Sequence, residues 1–131
     1  MQRRRNYSSN TPWETQVGFT RAVRTGKRIH VSGTTATDSE GKLVGEGDAY
    51  AQAKQTLENI STALKGLGAH ITDVVRTRIY VTDMAHWEEV GRAHCEVFKH
   101  AKPATSLLAV SALIDPLMLV EIEAEAYIDR R

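Results

Sequence analysis

The segment Lys102–Tyr127 constrains the fold of this chain more than any other, because its second half alternates between apolar and polar residues. Val120, Ile122, Ala124, Ala126 and Ile128 would point to one side, and Glu121, Glu123, Glu125 and Tyr127 to the other. This period of two is typical of a strand with one buried face. The first half predicts another strand, joined to the second by a short turn. Like charges along one strand face repel each other unless cations or a second surface neutralise them, so function is predicted at the glutamate face.

Length and composition indicate a single ordinary globular domain. The chain has 131 residues, a charged fraction of 25% and a net charge of +1, so no global field favours a nucleic acid or a membrane as partner. Its one cysteine, Cys95, excludes an intrachain disulfide. No apolar run approaches the ~20 residues that span a bilayer. We therefore expect a cytoplasmic protein.

Residues 1–14 are predicted to form a mobile N-terminal arm, and residues 15–131 a single domain. The arm combines Arg3, Arg4 and Arg5 with Asn, Ser, Thr and Pro residues. The three arginines could contact phosphate, but a solvated tail is the simpler interpretation. RNA processing is an alternative function that the near-neutral net charge does not favour.

The rest of the chain predicts the element order ββαβαββ. The predicted elements are a hairpin of Phe19–Arg24 and Arg28–Thr34, a helix capped by Asp48 that ends near Gly66, a strand Val74–Thr82, a helix from Asp83 to about Ala101, and the two strands of the opening segment. Periodicity assigns Val75 to the buried side of its strand. It assigns Trp87 and His94 to the buried stripe of the second helix.

Two amphipathic helices need only one face of the sheet to cover them. The opposite face would then carry no element of this chain, although it holds a mixture of apolar, aromatic and oppositely charged residues: Ser32, Arg76, Arg78, Tyr80, Thr105, Leu107, Glu121 and Glu123. Arg76 and Arg78 could neutralise the glutamates if their strands are neighbours. We expect another copy of the chain to bury this face, which predicts a closed homo-oligomer.

Several short motifs follow one another at a characteristic spacing between about Val17 and Ile128. They are Val31-Ser32-Gly33, Asp73-Val74-Val75, Val81-Thr82-Asp83-Met84, Pro103-Ala104-Thr105-Ser106 and Val120-Glu121-Ile122-Glu123-Ala124. Together with the element order they resemble the Rid family (reactive intermediate deaminase, also called YjgF). The resemblance implies a chorismate-mutase-like α+β fold, with a mixed sheet that carries two helices on one face. It also implies a homotrimer with a central barrel of sheets and a small-molecule cleft at each subunit interface.

Deaminases of this family hydrolyse 2-imino acids and their enamine tautomers to 2-oxo acids and ammonia, without a metal or organic cofactor. The resemblance assigns Glu121 to the glutamate that helps place or activate the attacking water, and Ser32 and Gly33 match the pocket lining. Thr105 stands where the family has an arginine that grips the substrate carboxylate in a bidentate pair. Three other family positions also differ: Leu107 replaces a frequent cysteine, Phe19 a tyrosine and Gly91 an asparagine.

The sequence therefore predicts an imine or enamine hydrolase with a non-standard substrate. Its predicted catalytic residue is Glu121, and its predicted substrate-binding residues are Thr105, Ser32, Gly33, Phe19 and Leu107. A charge-assisted hydrogen bond contributes about 1.5–3 kcal/mol, so loss of the arginine predicts a different, smaller or uncharged ligand. One alternative is a non-catalytic trimer that binds a small metabolite. Another is that Glu121 only pairs with an arginine and that the hydroxyls of Thr105 and Ser32 only satisfy backbone groups.

No metal site is predicted from the histidines and the cysteine. His94 and Cys95 are adjacent, and neighbouring residues of a helix diverge by about 100°. His94 falls on the apolar stripe, which predicts a core histidine rather than a zinc ligand.

Overall fold

The structure, a computed structural model, describes residues 4–129. The elements in this range are β1 (Arg4–Tyr7), α1 (Pro12–Val17), β2 (Ala22–Thr25), β3 (Arg28–Thr34), α2 (Ala49–Gly66), β4 (Val74–Val81), α3 (Trp87–Phe98), β5 (Ala104–Ala109) and β6 (Val120–Tyr127). Single 3-10 turns at Ile71–Asp73 and Met84–His86 precede β4 and α3. The predicted α+β class is confirmed.

The strands form one mixed sheet in the order β1-β2-β3-β6-β4-β5. Neighbouring strands are antiparallel except β4 and β5, which are parallel. The predicted short turn between β5 and β6 is wrong, because residues 110–119 connect them and β4 lies between them. A parallel pair requires a long crossover connection, and α3 lies in the one between β4 and β5.

The core lies between one face of the sheet and the two long helices. Ile29, Val31, Ile79, Val81, Val120 and Ile122 are all buried, as the alternation predicted. Helix α2 contacts β3, β6 and α3. Its predicted cap is confirmed, because the Ala51 N–H donates to the Asp48 carboxylate over 3.0 Å. Such a cap satisfies one of the unpaired donors of the first helical turn.

Two residues that periodicity assigned to the core are exposed, Val75 by 52% and Trp87 by 53%. The register between β4 and β6 shifts between Val74 and Arg76, and this bulge turns Val74 inward instead of Val75. Asp83 caps the 3-10 turn rather than the α-helix, so Trp87 is the first residue of α3. The 3-10 turn rotates the residues before α3 relative to a continuous helix from Asp83, so the buried face of α3 does not include Trp87.

The prediction of a mobile arm over residues 1–14 is corrected in the part that the structure describes. Arg4–Tyr7 pairs with Ala22–Thr25 as the outermost strand, and Pro12–Val17 forms a helix. Arg3 lies outside the described residues.

Two contacts join β1 to the end of α2. Arg5 Nη2 donates to the Leu67 carbonyl over 3.1 Å, and the ring of Tyr7 lies where any Cβ on Gly66 would be. The segment between β1 and β2 is therefore held at both ends by the sheet, and it forms one wall of the site described next.

No helix within residues 4–129 is long and apolar enough to cross a membrane.

Candidate functional site

A cavity of about 470 Å³ opens on the sheet face that the long helices leave uncovered. Its polar lining consists of Arg21, Ser32, Gly33, Thr35, Glu121 and Glu123. Its apolar lining consists of Trp13, Val17, Phe19 and Ile114. The structure therefore brings together four of the six predicted site residues, which are Glu121, Ser32, Gly33 and Phe19.

The close contact between β3 and β6 sets the position of the Glu121 carboxylate. The register of these strands shifts between Val31 and Thr34, and such bulges re-aim side chains next to active sites. A Cβ on Gly33 would overlap Oε2 of Glu121, so the carboxylate lies where only glycine leaves space.

Ser32, next to Gly33, is engaged by the backbone. Its N–H donates to the Arg21 carbonyl over 2.9 Å, and its hydroxyl donates to the Thr20 carbonyl over 2.7 Å. The structure thus supports the backbone interpretation of this hydroxyl. The side chain holds β3 against the residues before β2.

The environment of Glu121 raises the pKa of its carboxyl above the usual value. Burial raises the pKa of its carboxyl, the nearby charge of Glu123 raises it further, and Arg21 opposes both. Among the described residues, no group donates a hydrogen bond to this carboxylate. A partly desolvated carboxylate without a fixed donor can take a proton from a bound water.

Arg21 is buried beneath the cavity and is 6% exposed. Its Nε donates to the Ser9 hydroxyl over 3.1 Å, and its Nη1 donates to the Gly33 carbonyl and to the Thr34 hydroxyl. Burial lowers the pKa of this guanidinium, whereas Glu14 and Glu121 raise it. Arginine remains protonated in proteins, so the cavity floor carries one fixed positive charge.

Glu14 anchors the residues that precede α1. Its carboxylate accepts hydrogen bonds from the hydroxyls of Ser8, Ser9 and Thr11 and from the N–H groups of Ser9 and Thr11. Burial alone would raise the pKa of Glu14, but these hydrogen bonds outweigh it and lower the pKa to about 2. The network fixes α1, and with it Trp13, at the edge of the cavity.

Arg78 lies near the two glutamates that follow Glu121 along β6, as predicted. Its Nη1 is 3.3 Å from Glu125 and 3.9 Å from Glu123. The Tyr80 hydroxyl also donates to Glu123 over 3.0 Å. Within the single chain, Arg78 binds these two glutamates and makes no ion pair with Glu121 among the described residues.

The two remaining predicted site residues, Thr105 and Leu107, lie on β5 and away from the Glu121 cavity. β5 is the edge strand, and its parallel register pairs Thr105 with the buried Thr77. Directly paired residues point to the same face, so Thr105 and Leu107 lie on the helix-covered face. The prediction from alternation, which placed them on the glutamate face, is wrong. Arg76 lies opposite Glu125 in the register of β4 and β6, but its Nη2 donates to Ser106 over 3.0 Å, and within residues 4–129 it forms no ion pair with a glutamate.

The hydroxyl of Thr105 belongs to a short hydrogen-bonded chain. Its Oγ1 is 2.7 Å from Oγ1 of Thr77, which is 2.9 Å from Nε2 of His94. The Thr105 hydroxyl also lies 3.1 Å from the Pro103 carbonyl, to which it can donate. Burial lowers the pKa of His94, and its ring centroid is 4.6 Å from that of Phe98, which agrees with the predicted core histidine. Within residues 4–129, no three His, Cys, Asp or Glu side chains are grouped to hold a metal ion.

A sequence model described as Endoribonuclease L-PSP matches residues 9–128 of the chain. The chain belongs to the YjgF/Rid family. An uncharacterised protein of Streptomyces coelicolor is 42% identical over 123 residues, which cover 94% of this chain and 91% of that protein. A RutC family protein of Pyrococcus abyssi is 33% identical over 109 residues, which cover 83% of this chain and 85% of that protein.

Solved structures of YjgF/Rid proteins share the fold. A member of the YjgF/YER057c/UK114 family from Mycobacterium tuberculosis has a TM-score of 0.89 at 46% identity, covering 96% of this chain and all of that one (100%). A Rid family protein of unknown function from Yersinia pestis has a TM-score of 0.79 at 30% identity, covering 84% of this chain and 87% of that one. YjgF/Rid family members are typically trimers.

Sequence reasoning predicted the family glutamate and Phe19 but missed the rest of the apolar wall. Trp13 was assigned to the mobile arm and Val17 received no site role, although Thr11 followed by Pro12 and then Glu14 is a helix-start signal. A helix starting there places Trp13 and Val17 four residues apart on one face. Ile114 carries no such signal, because it lies in the irregular connection between β5 and β6.

Proposed function

We propose that this chain is a cofactor-independent imine or enamine deaminase that acts as a cytoplasmic homotrimer, with Glu121 as its catalytic residue. The observation that carries this proposal is the state of that carboxylate. It lies half-buried in a cavity, accepts no hydrogen bond from the described residues, and has a raised pKa. The chain resembles Rid-family deaminases and has a glutamate, Glu121, at the position of the family glutamate. This similarity supports the reaction class.

The proposed reaction needs one group that takes a proton from water and returns it to nitrogen. Glu121 removes a proton as the water oxygen bonds to the imine carbon, and the C=N electron pair moves to nitrogen. The protonated carboxyl then donates to that nitrogen. The hydroxyl proton of the adduct passes through the same carboxylate to the nitrogen as the C–N bond breaks, and a carbonyl compound and ammonia leave. A carboxyl whose pKa is raised toward neutrality suits both transfers. Gly33 contributes by leaving room for the carboxylate beside the strand.

The proposed trimer would complete the cavity with β5 of a neighbouring copy. Thr105 and Leu107 cannot reach Glu121 within one chain, because they lie two strands away and on the other face. A neighbouring copy could present them to the open side of the cavity. Leu108, on the edge strand β5, is 51% exposed in the single chain, which supports burial against another surface. Sedimentation should give the mass of three chains; a monomer would contradict this part of the proposal.

The test is ammonia release from freshly generated imines, with and without a carboxylate. Glu121→Gln should lower the rate by at least about 100-fold, the usual contribution of a general base. Glu125→Gln is the matched control, because Glu125 lies on the same strand face but is paired with Arg78 outside the cavity. Its rate should stay within about twofold of the native rate. Full activity of Glu121→Gln would rule out the assigned role.

A non-catalytic metabolite-binding trimer is the second candidate, and the threonine at the position of the family arginine favours it. Comparison of the native chain with Thr105→Arg separates the two functions. Hydrolysis of 2-imino acids by the variant alone would show that Glu121 is competent and that the native substrate differs. No hydrolysis of any imine by either protein, together with ligand-induced thermal stabilisation, would favour the binding function.

A further inference from the structure

We infer that the Glu121 cavity selects a protonated imine that carries an apolar substituent and no carboxylate. This inference rests on the proposed function and names the substrate class of the same site. It depends on two observations: the charge of the cavity and the nature of its outer wall.

The cavity presents more negative than available positive charge. Glu121 and Glu123 both line it, and Arg21 is its one cation among the described residues. Two of the three guanidinium nitrogens of Arg21 are already committed, Nε to Ser9 and Nη1 to Gly33 and Thr34. A ligand carboxylate would therefore enter beside two carboxylates and find only Nη2 of the guanidinium uncommitted.

The positive charge outside the cavity does not change this balance. Arg78 is shared between two glutamates, and its Nη1 is closer to Glu125 (3.3 Å) than to Glu123 (3.9 Å). Thr105 and Leu107, which the proposed trimer would bring to the open side, are both uncharged. A planar cation such as an iminium group fits this environment, because opposite charges within a desolvated cavity attract strongly.

The outer wall of the cavity is apolar. Trp13 and Val17 come from α1, Phe19 precedes β2, and Ile114 comes from the connection before β6. Val17 and Ile114 are 71% and 61% exposed, so an apolar ligand group would remove them from water. Ligand sites commonly combine such an apolar wall with a few polar groups that set the orientation of the ligand.

The reaction balances for this substrate class. An iminium ion and water give a carbonyl compound and an ammonium ion, so the total charge stays at +1. Glu121 accepts one water proton during addition and passes it to the amine nitrogen. The hydroxyl proton of the adduct leaves through the same carboxylate to ammonia as the C–N bond breaks.

The inference is tested by binding, with probes that cannot react. Benzamidinium is a planar cation with an aromatic group, benzoate is its carboxylate counterpart, and acetamidinium lacks the ring. Titrations of the native protein at pH 7, followed by NMR, should show that benzamidinium binds at least tenfold more tightly than either other probe. Equal or tighter binding of benzoate would overturn the charge argument, and equal binding of acetamidinium would overturn the apolar one.

Two exposed valines provide a matched pair of variants. Val17→Lys adds a positive charge at the cavity wall, whereas Val75→Lys adds one at a similarly exposed position outside it. Val17→Lys should weaken benzamidinium binding at least tenfold, and Val75→Lys should change it by less than twofold. Ile114→Lys tests the same wall if Val17→Lys does not fold. Unchanged binding in both cavity variants would overturn the inference.

The inference and the proposed function fail in different ways. Selective binding of benzamidinium without hydrolysis of any imine would remove the enzymatic function and leave the ligand class intact. Equal hydrolysis of 2-imino acids and of imines without a carboxylate would remove the inferred selectivity and leave the deaminase function intact.

Discussion

Gly33 and Glu121 lie on neighbouring strands in such close contact that a Cβ on the glycine would overlap the carboxylate oxygen. The backbone of Gly33 is not in the left-handed region, so this position requires glycine for space rather than for conformation. The contact links the one retained family carboxylate to the bulge at the end of β3.

Gly33→Ala should displace the Glu121 carboxylate into the cavity. A displacement of about 1 Å in a reacting group can lower the rate about 100-fold, and we expect a loss of that order in imine hydrolysis. The cost in folding free energy should be only about 1 kcal/mol, because the atoms that must move are the end of a flexible side chain. Steady-state kinetics and urea unfolding measure the two effects separately.

The matched control is Gly91→Ala in α3, where an added Cβ meets no atom within 4 Å. Alanine is more favourable than glycine in a helix by about 1 kcal/mol, so this variant should be as stable as the native chain or more so. Its rate should be unchanged. A similar loss of activity in both variants would disprove the specific role of Gly33.

Glu121→Gln should stabilise the folded chain at neutral pH while abolishing turnover. Burial raises the folded-state pKa of Glu121 above its unfolded value of 4.5, so its ionisation disfavours folding. Stability due to this group is therefore present at low pH and is lost as the pH rises from about 4.5 through the raised pKa. Thermal unfolding at pH 4 and pH 8 should show a gain for Glu121→Gln only at the higher pH; a loss there would contradict the assigned environment.

Glu14→Gln should destabilise the fold in the opposite pH range. The folded pKa of about 2 lies below the unfolded value of 4.5, so the carboxylate stabilises the fold fully above pH 4.5 and loses this effect as the pH falls toward 2. We expect a loss on the order of 2 kcal/mol at pH 7 and almost none near pH 2. Unfolding curves at both pH values measure it. Glu40→Gln, at an exposed loop position, is the control and should change stability by less than about 0.5 kcal/mol.

Thr105→Val should remove the hydrogen bond between the hydroxyls of Thr105 and Thr77, and Thr77 is in turn hydrogen-bonded to His94. Valine keeps the shape of threonine but leaves the buried Thr77 hydroxyl with one partner instead of two, which should cost about 1 kcal/mol. Thr105→Ser retains the hydroxyl and should cost less. Urea unfolding gives the energies, and the ring resonances of His94 should shift in the valine variant. Equal stability of the valine and native proteins would show that the hydrogen bond between Thr105 and Thr77 contributes nothing to the free energy of unfolding.

The sequence alone was sufficient for features that depend on local periodicity. The alternation in β6 and the cap at Asp48 each involve residues close together in the chain. These patterns predicted strands and helices in sequence order and the face on which the helices pack, and the family resemblance implied the α+β class. The family resemblance rested on five short motifs in their order and spacing, of which the one around Glu121 is the last.

Features that depend on which strands are neighbours required the tertiary structure. Alternation in β5 was visible, but only its parallel register with β4 decided that Thr105 faces His94 and not Glu121. Likewise, nothing local to Gly33 or Arg21 indicates that both line the same cavity as Glu121. The sequence therefore determined the elements, their order and the catalytic candidate, because periodicity and capping act within a few residues. Only the tertiary structure decided which side chains share the cavity, because strand pairing and bulges join residues that are far apart in the chain.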